Sequence, residues 1–314
     1  MSRLGIEGNR TIVLNEAIQA INESLKYSDP ETKFESVNSL WYNEKVVILE
    51  EFKQTLVDYY EADSYGLDFS DPGSVDIINS WVNDKTNGKI PELLSVVNPW
   101  DICFIVNALY FNGIWAETFD PEKTKFRYFR VSEDEDVLVP MMEVSGKYML
   151  YSQDGVRGIE LPYGNSNWSM FILMPKYNNA FDTGEFIRDK VMNNFDEILE
   201  GFNEGSTVVR LPQFSIKSEF EMIKYLKAMG IEKAFSAVEA DFNRLTLEDC
   251  WIGKVIQKTY LRVNENGTEA AAATAVGMVG APPTITFNRP FIYFIREKIT
   301  GSILFIGQVM NPNA

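Results

Sequence analysis

The sequence predicts a mixed α+β fold, because two hydrophobic periodicities alternate along it. Apolar residues recur at helical spacing in Thr11–Leu25 and Leu49–Glu61. Short runs of β-branched and aromatic residues, bounded by turn residues, indicate strands. These strand runs are Val139–Met142, Arg157–Pro162, Trp168–Pro175 and Phe291–Phe294, with further β-patterned sequence in Lys254–Val263 and Ile285–Val309. No Gly/Ser-rich or Pro-rich linker divides the chain, which favours one domain over residues 1–314.

The composition predicts a sizeable core under an acidic surface. The chain has 314 residues, 45% of them hydrophobic, and a formal net charge of −16. Such a charge argues against nucleic acid or an anionic membrane as partner, since both attract basic surfaces. No apolar run approaches the length of a membrane span, and the residues after Met1 lack the apolar core of a signal peptide. We therefore expect an intracellular location, unless the N-terminus is incomplete.

The residues that usually carry enzyme chemistry are poorly represented. The chain has no histidine, which excludes Ser-His-Asp and Cys-His catalysis and every His-ligated metal site. The acidic run Glu133–Asp136 could bind a hard cation, but four consecutive acids are more typical of a solvated turn. No glycine-rich phosphate loop follows a strand. The sequence thus predicts no enzyme, no metal site and no cofactor.

Two cysteines, Cys103 and Cys250, lie far apart in sequence and in apolar surroundings. This pattern predicts two free core thiols rather than a disulfide framework.

The most unusual segment runs from Gly267 to Pro283, between two β-patterned stretches. Small residues, including four consecutive alanines, occupy both faces of it. A connection between strands normally runs over the surface and is polar. A small-residue segment there could open to a protease or join a sheet as an added strand, because its side chains would not clash with neighbouring strands. A short Ala-rich helix is an equally valid local interpretation.

The segment Val263–Thr274 resembles the hinge of the reactive-centre loop in serpins, the serine protease inhibitor superfamily. The resemblance covers nearly the whole chain, with blocks in family order, and is far more specific than a single motif. The further blocks are Asn79–Val82 with Thr86–Ile90, Val106–Trp115, Leu211–Phe214, Leu226–Phe235, Ala240–Phe242, Asn288–Phe291 and Leu304–Gly307. It implies large, mainly antiparallel β-sheets covered by helices, with an exposed reactive-centre loop near the C-terminus at about residues 265–286.

The resemblance also implies a mechanism. Serpins hold the loop out in a metastable fold, and cleavage lets the loop insert into the main sheet while the acylated serine protease is still attached. This suicide inhibition implies a monomer that forms a covalent complex with its target. The hinge would comprise Gly267, Thr268, Glu269, Ala270, Ala271, Ala272, Ala273 and Thr274. Thr268, Ala270, Ala272 and Thr274 would face inward, where only small side chains allow insertion.

The position of the reactive bond depends on the direction of counting. Counting back from Asn288–Phe291 gives Val279-Gly280, whereas counting forward from Gly267 gives Ala281-Pro282. A bond before proline is a poor protease substrate, so we predict Val279, with Met278 as runner-up. Either residue would suit an elastase-like or chymotrypsin-like pocket. The loop is two residues shorter than the common form, or about 7 Å of extended strand, so full insertion would either pull a bound protease harder or stop short.

Two features depart from the family pattern. The resemblance begins at the third helix, so the first two helices would be absent, as in a truncated gene model or a degenerate member. The sheet-opening region would include Asn107, Trp115 and Gln257, and Gln257 falls where the family has a histidine hydrogen-bonded to the asparagine matched by Asn107. Glutamine can still donate and accept hydrogen bonds, although it cannot titrate near neutral pH. The alternatives to an inhibitor are therefore a non-inhibitory binding or chaperone protein and a degenerate remnant.

Overall fold

The computed structural model describes residues 11–176, 186–267 and 282–314. Contacts divide these residues into two compact units. Among the described residues, the first unit comprises residues 11–26, 34–110 and 216–260, and the second comprises residues 27–33, 111–176, 186–215, 261–267 and 282–314. That residues 1–314 form one domain remains a prediction.

Five α-helices are present in the described ranges, and the first two confirm the helical periodicity. The helices are α1 (Thr11–Tyr27), α2 (Glu50–Tyr60), α3 (Gly73–Lys85), α4 (Phe195–Glu200) and α5 (Ile223–Ala228). Short helical turns occupy Pro121–Lys123, Phe186–Val191, Met192–Asn194 and Lys233–Phe235. No helix in these ranges is both long enough and apolar enough to cross a bilayer.

The first unit is organised around a five-stranded sheet with the order β2-β1-β3-β10-β9. Its strands are β1 (Thr32–Asn43), β2 (Ala62–Leu67), β3 (Cys103–Gly113), β9 (Phe214–Glu221) and β10 (Ile252–Val263). Strands β1 and β2 are parallel, as are β3 and β10. Trp41, Ile78, Val82 and Phe104 are fully buried in one cluster, so the apolar face of α3 packs on this sheet.

The second unit contains an eight-stranded sheet with the order β11-β8-β5-β6-β7-β12-β13, and β4 pairs with β5. Its strands are β4 (Lys125–Arg130), β5 (Asp136–Gln153), β6 (Val156–Tyr163), β7 (Trp168–Pro175), β8 (Asn203–Pro212), β11 (Thr284–Thr286), β12 (Phe291–Glu297) and β13 (Ile303–Val309). All eight residues of β7 are buried, which explains why every residue of it except Ser169 is apolar. Ile198 on α4 packs with Phe171 and Phe294 to close one core of this unit.

The acidic run forms the predicted turn. Glu133, Asp134 and Glu135 are exposed in the connection between β4 and β5, and Arg130 Nε donates to Asp136 Oδ1 at 3.0 Å. Within the described ranges, no group of three or more Cys, Asp or Glu residues is arranged to hold a metal ion.

Candidate functional site

The candidate site begins at the parallel pairing of β3 with β10. Residues Cys103–Tyr110 pair directly with Ile252–Tyr260, and we call this pairing the β3–β10 seam. The two strands are neighbours in the sheet order, so they hydrogen-bond to each other with no strand between them. The register places Gln257 opposite Asn107 and contains an irregularity between Ile252 and Lys254.

A polar side-chain bridge crosses the middle of the seam. Gln257 Nε2 donates to Asn107 Oδ1 at 3.0 Å. Asn107 Nδ2 in turn donates to Asn38 Oδ1 at 2.8 Å and to Ser36 Oγ at 3.4 Å. All four side chains are partly buried. The bridge extends across β1, β3 and β10 without an ionisable group, and it must break if β3 and β10 separate.

The chain leaves β10 through a tight turn that ends at Gly267. Asn264 and Gly267 exchange two backbone hydrogen bonds of 3.1 Å, and Gly267 also bridges Ile114 in antiparallel fashion. Its φ of +104° lies in the left-handed region. A Cβ here would overlap the Gly113 carbonyl oxygen and lie 2.6 Å from the Trp115 backbone nitrogen. Glycine is therefore required at this position by backbone angle and by space.

Glu265 holds the same turn in place. Its carboxylate accepts from Thr124 Oγ1 at 2.6 Å and from Gln213 Nε2 at 2.7 and 2.8 Å. The Glu265 carbonyl accepts from the Phe119 backbone N–H at 2.8 Å. Hydrogen bonds to a charged group are the stronger kind, so the residues that precede the alanine run are firmly anchored.

Trp115 packs beside this turn. Its indole stacks on Tyr163 with a centroid distance of 4.2 Å and an interplanar angle of 12°. The Nε1–H donates to the Asn264 carbonyl at 3.0 Å, and the backbone N–H donates to the Asn266 carbonyl at 3.1 Å. This buried side chain therefore supports the exit of β10 rather than the middle of the seam.

The chain after the alanine run is also anchored. The Pro283 carbonyl accepts from the Val208 backbone N–H at 2.9 Å and from Thr207 Oγ1 at 2.8 Å, and β11 then pairs with β8 in parallel. Of the predicted hinge and reactive-bond residues, Gly267 lies within the described residues. Thr268–Thr274, Met278, Val279 and Gly280 lie outside the described residues.

The two cysteines are buried and free, which confirms the prediction. The fold brings their Sγ atoms to 3.6 Å although 147 residues separate them. Sequence reasoning missed this proximity, as it missed the three side-chain hydrogen bonds of Glu265. In both cases the partners are distant along the chain, where local periodicity carries no signal.

Comparison with known proteins identifies the family. A family model described as "Serpin (serine protease inhibitor)" matches residues 2–312. The chain belongs to the serpin family.

Individual relatives agree with this assignment. A serpin-like protein of Methanosarcina acetivorans is 32% identical over 96% of this chain and 72% of its own length. Serpin B6 of Pongo abelii is also 32% identical, over 95% of this chain and 82% of its own. The crystal structure of human thyroxine-binding globulin, complexed with its hormone, superposes with a TM-score of 0.88 at 28% identity, covering 99% of this chain and 84% of that one. The predicted serpin fold is therefore confirmed.

Proposed function

We propose that this serpin inhibits serine proteases by loop cleavage and insertion, and that it presents Val279-Gly280 as the reactive bond, with Met278 as the runner-up. The observation that carries the proposal is the direct parallel pairing of Cys103–Tyr110 with Ile252–Tyr260. A strand that enters between these two must run from Gly267, where β10 ends in a fixed turn, and the residues that follow are small. Both conditions suit insertion.

In this proposal the protease attacks the loop as an ordinary substrate. Its serine forms an acyl bond with Val279, and the new end that begins at Gly280 leaves. Hinge residues 268–274 then enter the seam, with the acylated protease still attached. The Gln257–Asn107 hydrogen bond must break before this entry, so the polar bridge sets part of the barrier to opening. Val279 and Met278 are uncharged, which favours an elastase-like or chymotrypsin-like target.

The test is incubation of the purified chain with an elastase-like and with a chymotrypsin-like protease, followed by denaturing gels and mass spectrometry. We expect an SDS-stable complex at the summed mass, with cleavage after Val279 or Met278. Complete cleavage of the chain with full protease activity remaining would overturn the proposal.

A matched pair of hinge variants tests the insertion step. Ala272→Arg puts a charge at an inward position, where burial of an unpaired charge is costly, so we expect cleavage without complex. Ala271→Arg puts the same charge at the neighbouring outward position and is expected to keep the complex. Equal behaviour of the two variants would contradict strand-like insertion.

A second candidate function is non-inhibitory binding. The relative in the superposed structure is described as a globulin that binds thyroxine, so the same fold accommodates a carrier. In that case the loop would be cleaved without trapping the enzyme. The partition between complex and cleaved chain distinguishes the two candidates.

A further inference from the structure

The buried cysteine pair lies at the end of the seam where β3 and β10 begin. Cys103 is the first residue of β3, and its ladder partner Ile252 is the first residue of β10. Cys250 lies two positions earlier, and its Sγ atom is 3.6 Å from Cys103 Sγ. The exposed fractions are 0% for Cys103 and 5% for Cys250.

The surroundings of the pair are apolar and compact. Leu40, Val46, Ile48 and Leu245 belong to the same buried cluster. Cys103 Sγ also lies 3.4 Å from the Trp251 carbonyl oxygen. Two thiols with this separation need to approach by about 1.5 Å to reach the disulfide bond length of about 2.0 Å. The residues that must shift, around Cys250, belong to a connection between elements rather than to a strand.

We propose that Cys103 and Cys250 form a peroxide-sensitive thiol pair that, once oxidised to a disulfide, ties the start of β3 to the segment before β10 and holds the seam closed. The hydrogen bond between the thiols lowers the pKa of Cys250 and raises that of Cys103. We assign Cys250 as the first nucleophile because it is the more exposed of the two and lies in a connection, whereas Cys103 is fully buried at the start of β3. Hydrogen peroxide fits the site better than a bulky disulfide oxidant, since both sulfur atoms are buried.

The chemistry balances with one peroxide molecule. The Cys250 thiolate attacks one peroxide oxygen, the O–O bond breaks, and a sulfenic acid and hydroxide form; the hydroxide takes up the proton that Cys250 released, to give water. The Cys103 sulfur then attacks the sulfenic sulfur, the S–O bond breaks, and the leaving hydroxide takes the Cys103 proton to form a second water. Two thiols are oxidised to one disulfide, and peroxide is reduced to two waters.

The consequence for the seam follows from distances, and it rests on the proposed function. Adjacent strands lie about 4.8 Å apart, so a strand inserted between β3 and β10 would separate them by about 9.6 Å. A disulfide holds its two Cα atoms within about 7 Å. Because Cys250 lies only two residues before the ladder partner Ile252, the disulfide would resist separation of the strands at the Cys103 end.

The first experiment measures the bond itself. The full chain is reduced, treated with a small molar excess of peroxide, and analysed by intact mass and by a non-reducing peptide map. We expect a loss of about 2 Da from the two departing hydrogens and a linked peptide containing Cys103 and Cys250. Cys103→Ser should instead leave Cys250 as sulfenic or sulfinic acid, and Cys250→Ser should leave Cys103 as a thiol. Two unlinked thiols in the peroxide-treated wild type would overturn the proposal.

The second experiment measures the seam by hydrogen exchange of the amides in Cys103–Tyr110. Oxidation should slow exchange at least several-fold at the Cys103 end, and dithiothreitol should reverse the effect. Because dithiothreitol does not reduce methionine sulfoxide, reversal also separates the disulfide from oxidation of the methionines. If the hydrogen-exchange rates of Cys103–Tyr110 do not change on oxidation, the disulfide does not hold the seam closed, even if it forms.

The third experiment asks whether the bond controls inhibition. The test uses a protease that the reduced chain traps. Oxidation of the wild type should shift the products from SDS-stable complex to cleaved chain. For Cys103→Ser, the fraction of SDS-stable complex should be the same with and without peroxide treatment. If the reduced and the oxidised wild type form the same fraction of complex, the disulfide does not control inhibition. If the reduced chain traps no protease, the proposed function fails, while mass and exchange still decide the disulfide and the closed seam.

Discussion

The β3–β10 seam and the pairing of β7 with β12 are two strand contacts of opposite character. Strands β7 and β12 are antiparallel, and every residue of β7 is buried. The seam is parallel; within Ile252–Tyr260 only Ile256 is buried, whereas β3 contributes the buried Phe104, Val106 and Ala108. Parallel pairing is slightly less stable per residue, and water can replace the Gln257–Asn107 bridge. We therefore expect separation of β3 from β10 to cost less than separation of β7 from β12, because β10 is mostly only partly buried whereas β7 is buried throughout.

The largest expected effect comes from the β7–β12 side. Phe294 on β12 stacks on Phe171 at 4.8 Å and is 1% exposed. Phe294→Ala removes a buried ring and leaves a cavity, so we expect the free energy of unfolding to fall by about 3–5 kcal/mol. Urea denaturation measures the change. Phe126→Ala is the matched control, since Phe126 is 74% exposed; a similar loss in both variants would contradict the role of the buried Phe294 ring in the β7–β12 contact.

The seam gives a smaller and more local effect. Gln257→Ala leaves Asn107 without one of its partners, and Asn107→Ala does the same to Gln257 and Asn38. We expect each variant to lose about 1–3 kcal/mol, the penalty for an unsatisfied partly buried group. Hydrogen exchange should accelerate in β3 and β10 but not in β7.

The same seam variants allow a sharper measurement. The double variant should cost less than the sum of the single ones, with a coupling of about 0.5–3 kcal/mol for two groups in one network. Gln153→Ala, at an exposed position near the end of β5, serves as the control for loss of an amide. Additive effects in the double variant would show that the bridge does not hold the seam.

Trp115→Phe tests how the turn after β10 is held, and we expect it to lower the free energy of unfolding by less than the seam variants do. Phenylalanine keeps an aromatic ring beside Tyr163 but cannot donate to the Asn264 carbonyl. We expect a loss of about 1 kcal/mol, the net value of one hydrogen bond, measured by chemical denaturation. Trp100 is 84% exposed, so Trp100→Phe should change stability little. An equal loss of stability in Trp100→Phe and Trp115→Phe would contradict the role of the Trp115 hydrogen bond in holding the turn.

The smallest effect is expected at the edge of the five-stranded sheet. Burial raises the pKa of Asp63 on β2, but hydrogen bonds from Lys85 and Trp81 outweigh it, so the pKa lies below its ordinary value of 3.8. A lowered pKa in the folded state contributes stability that is complete above the unfolded value and is lost as the pH falls through the folded value. Asp63→Asn should therefore cost less than about 1 kcal/mol at pH 7, since the pair is partly exposed.

The pH dependence provides the check on Asp63. At a pH well below 3.8, wild type and Asp63→Asn should unfold at the same urea concentration, because both side chains are then neutral. A difference that persists in acid would mean that Asp63 acts through packing rather than through charge.

The sequence predicted those parts of the fold that local periodicity or a long resemblance encodes. The apolar sequence of Trp168–Pro175 predicts a buried strand. The structure gives β7 the same bounds and buries all of its residues. The resemblance associated Gln257 with Asn107, and the structure shows a hydrogen bond between them. Contacts between distant segments had no such signal: Thr124 and Glu265 are 141 positions apart, and the cysteines 147. Such pairs depend on strand order and register, which composition does not specify.

The indole of Trp115 also supplies an optical probe. It is 3% exposed, lies against Tyr163 and donates to the carbonyl of Asn264, in the turn that precedes the alanine run. Indole fluorescence shifts to longer wavelength when the ring moves from an apolar contact into water. Any event that pulls this turn away from its neighbours should therefore redden the emission of the wild type but not of Trp115→Phe. The chain thus carries an intrinsic reporter of loop movement that needs no attached dye.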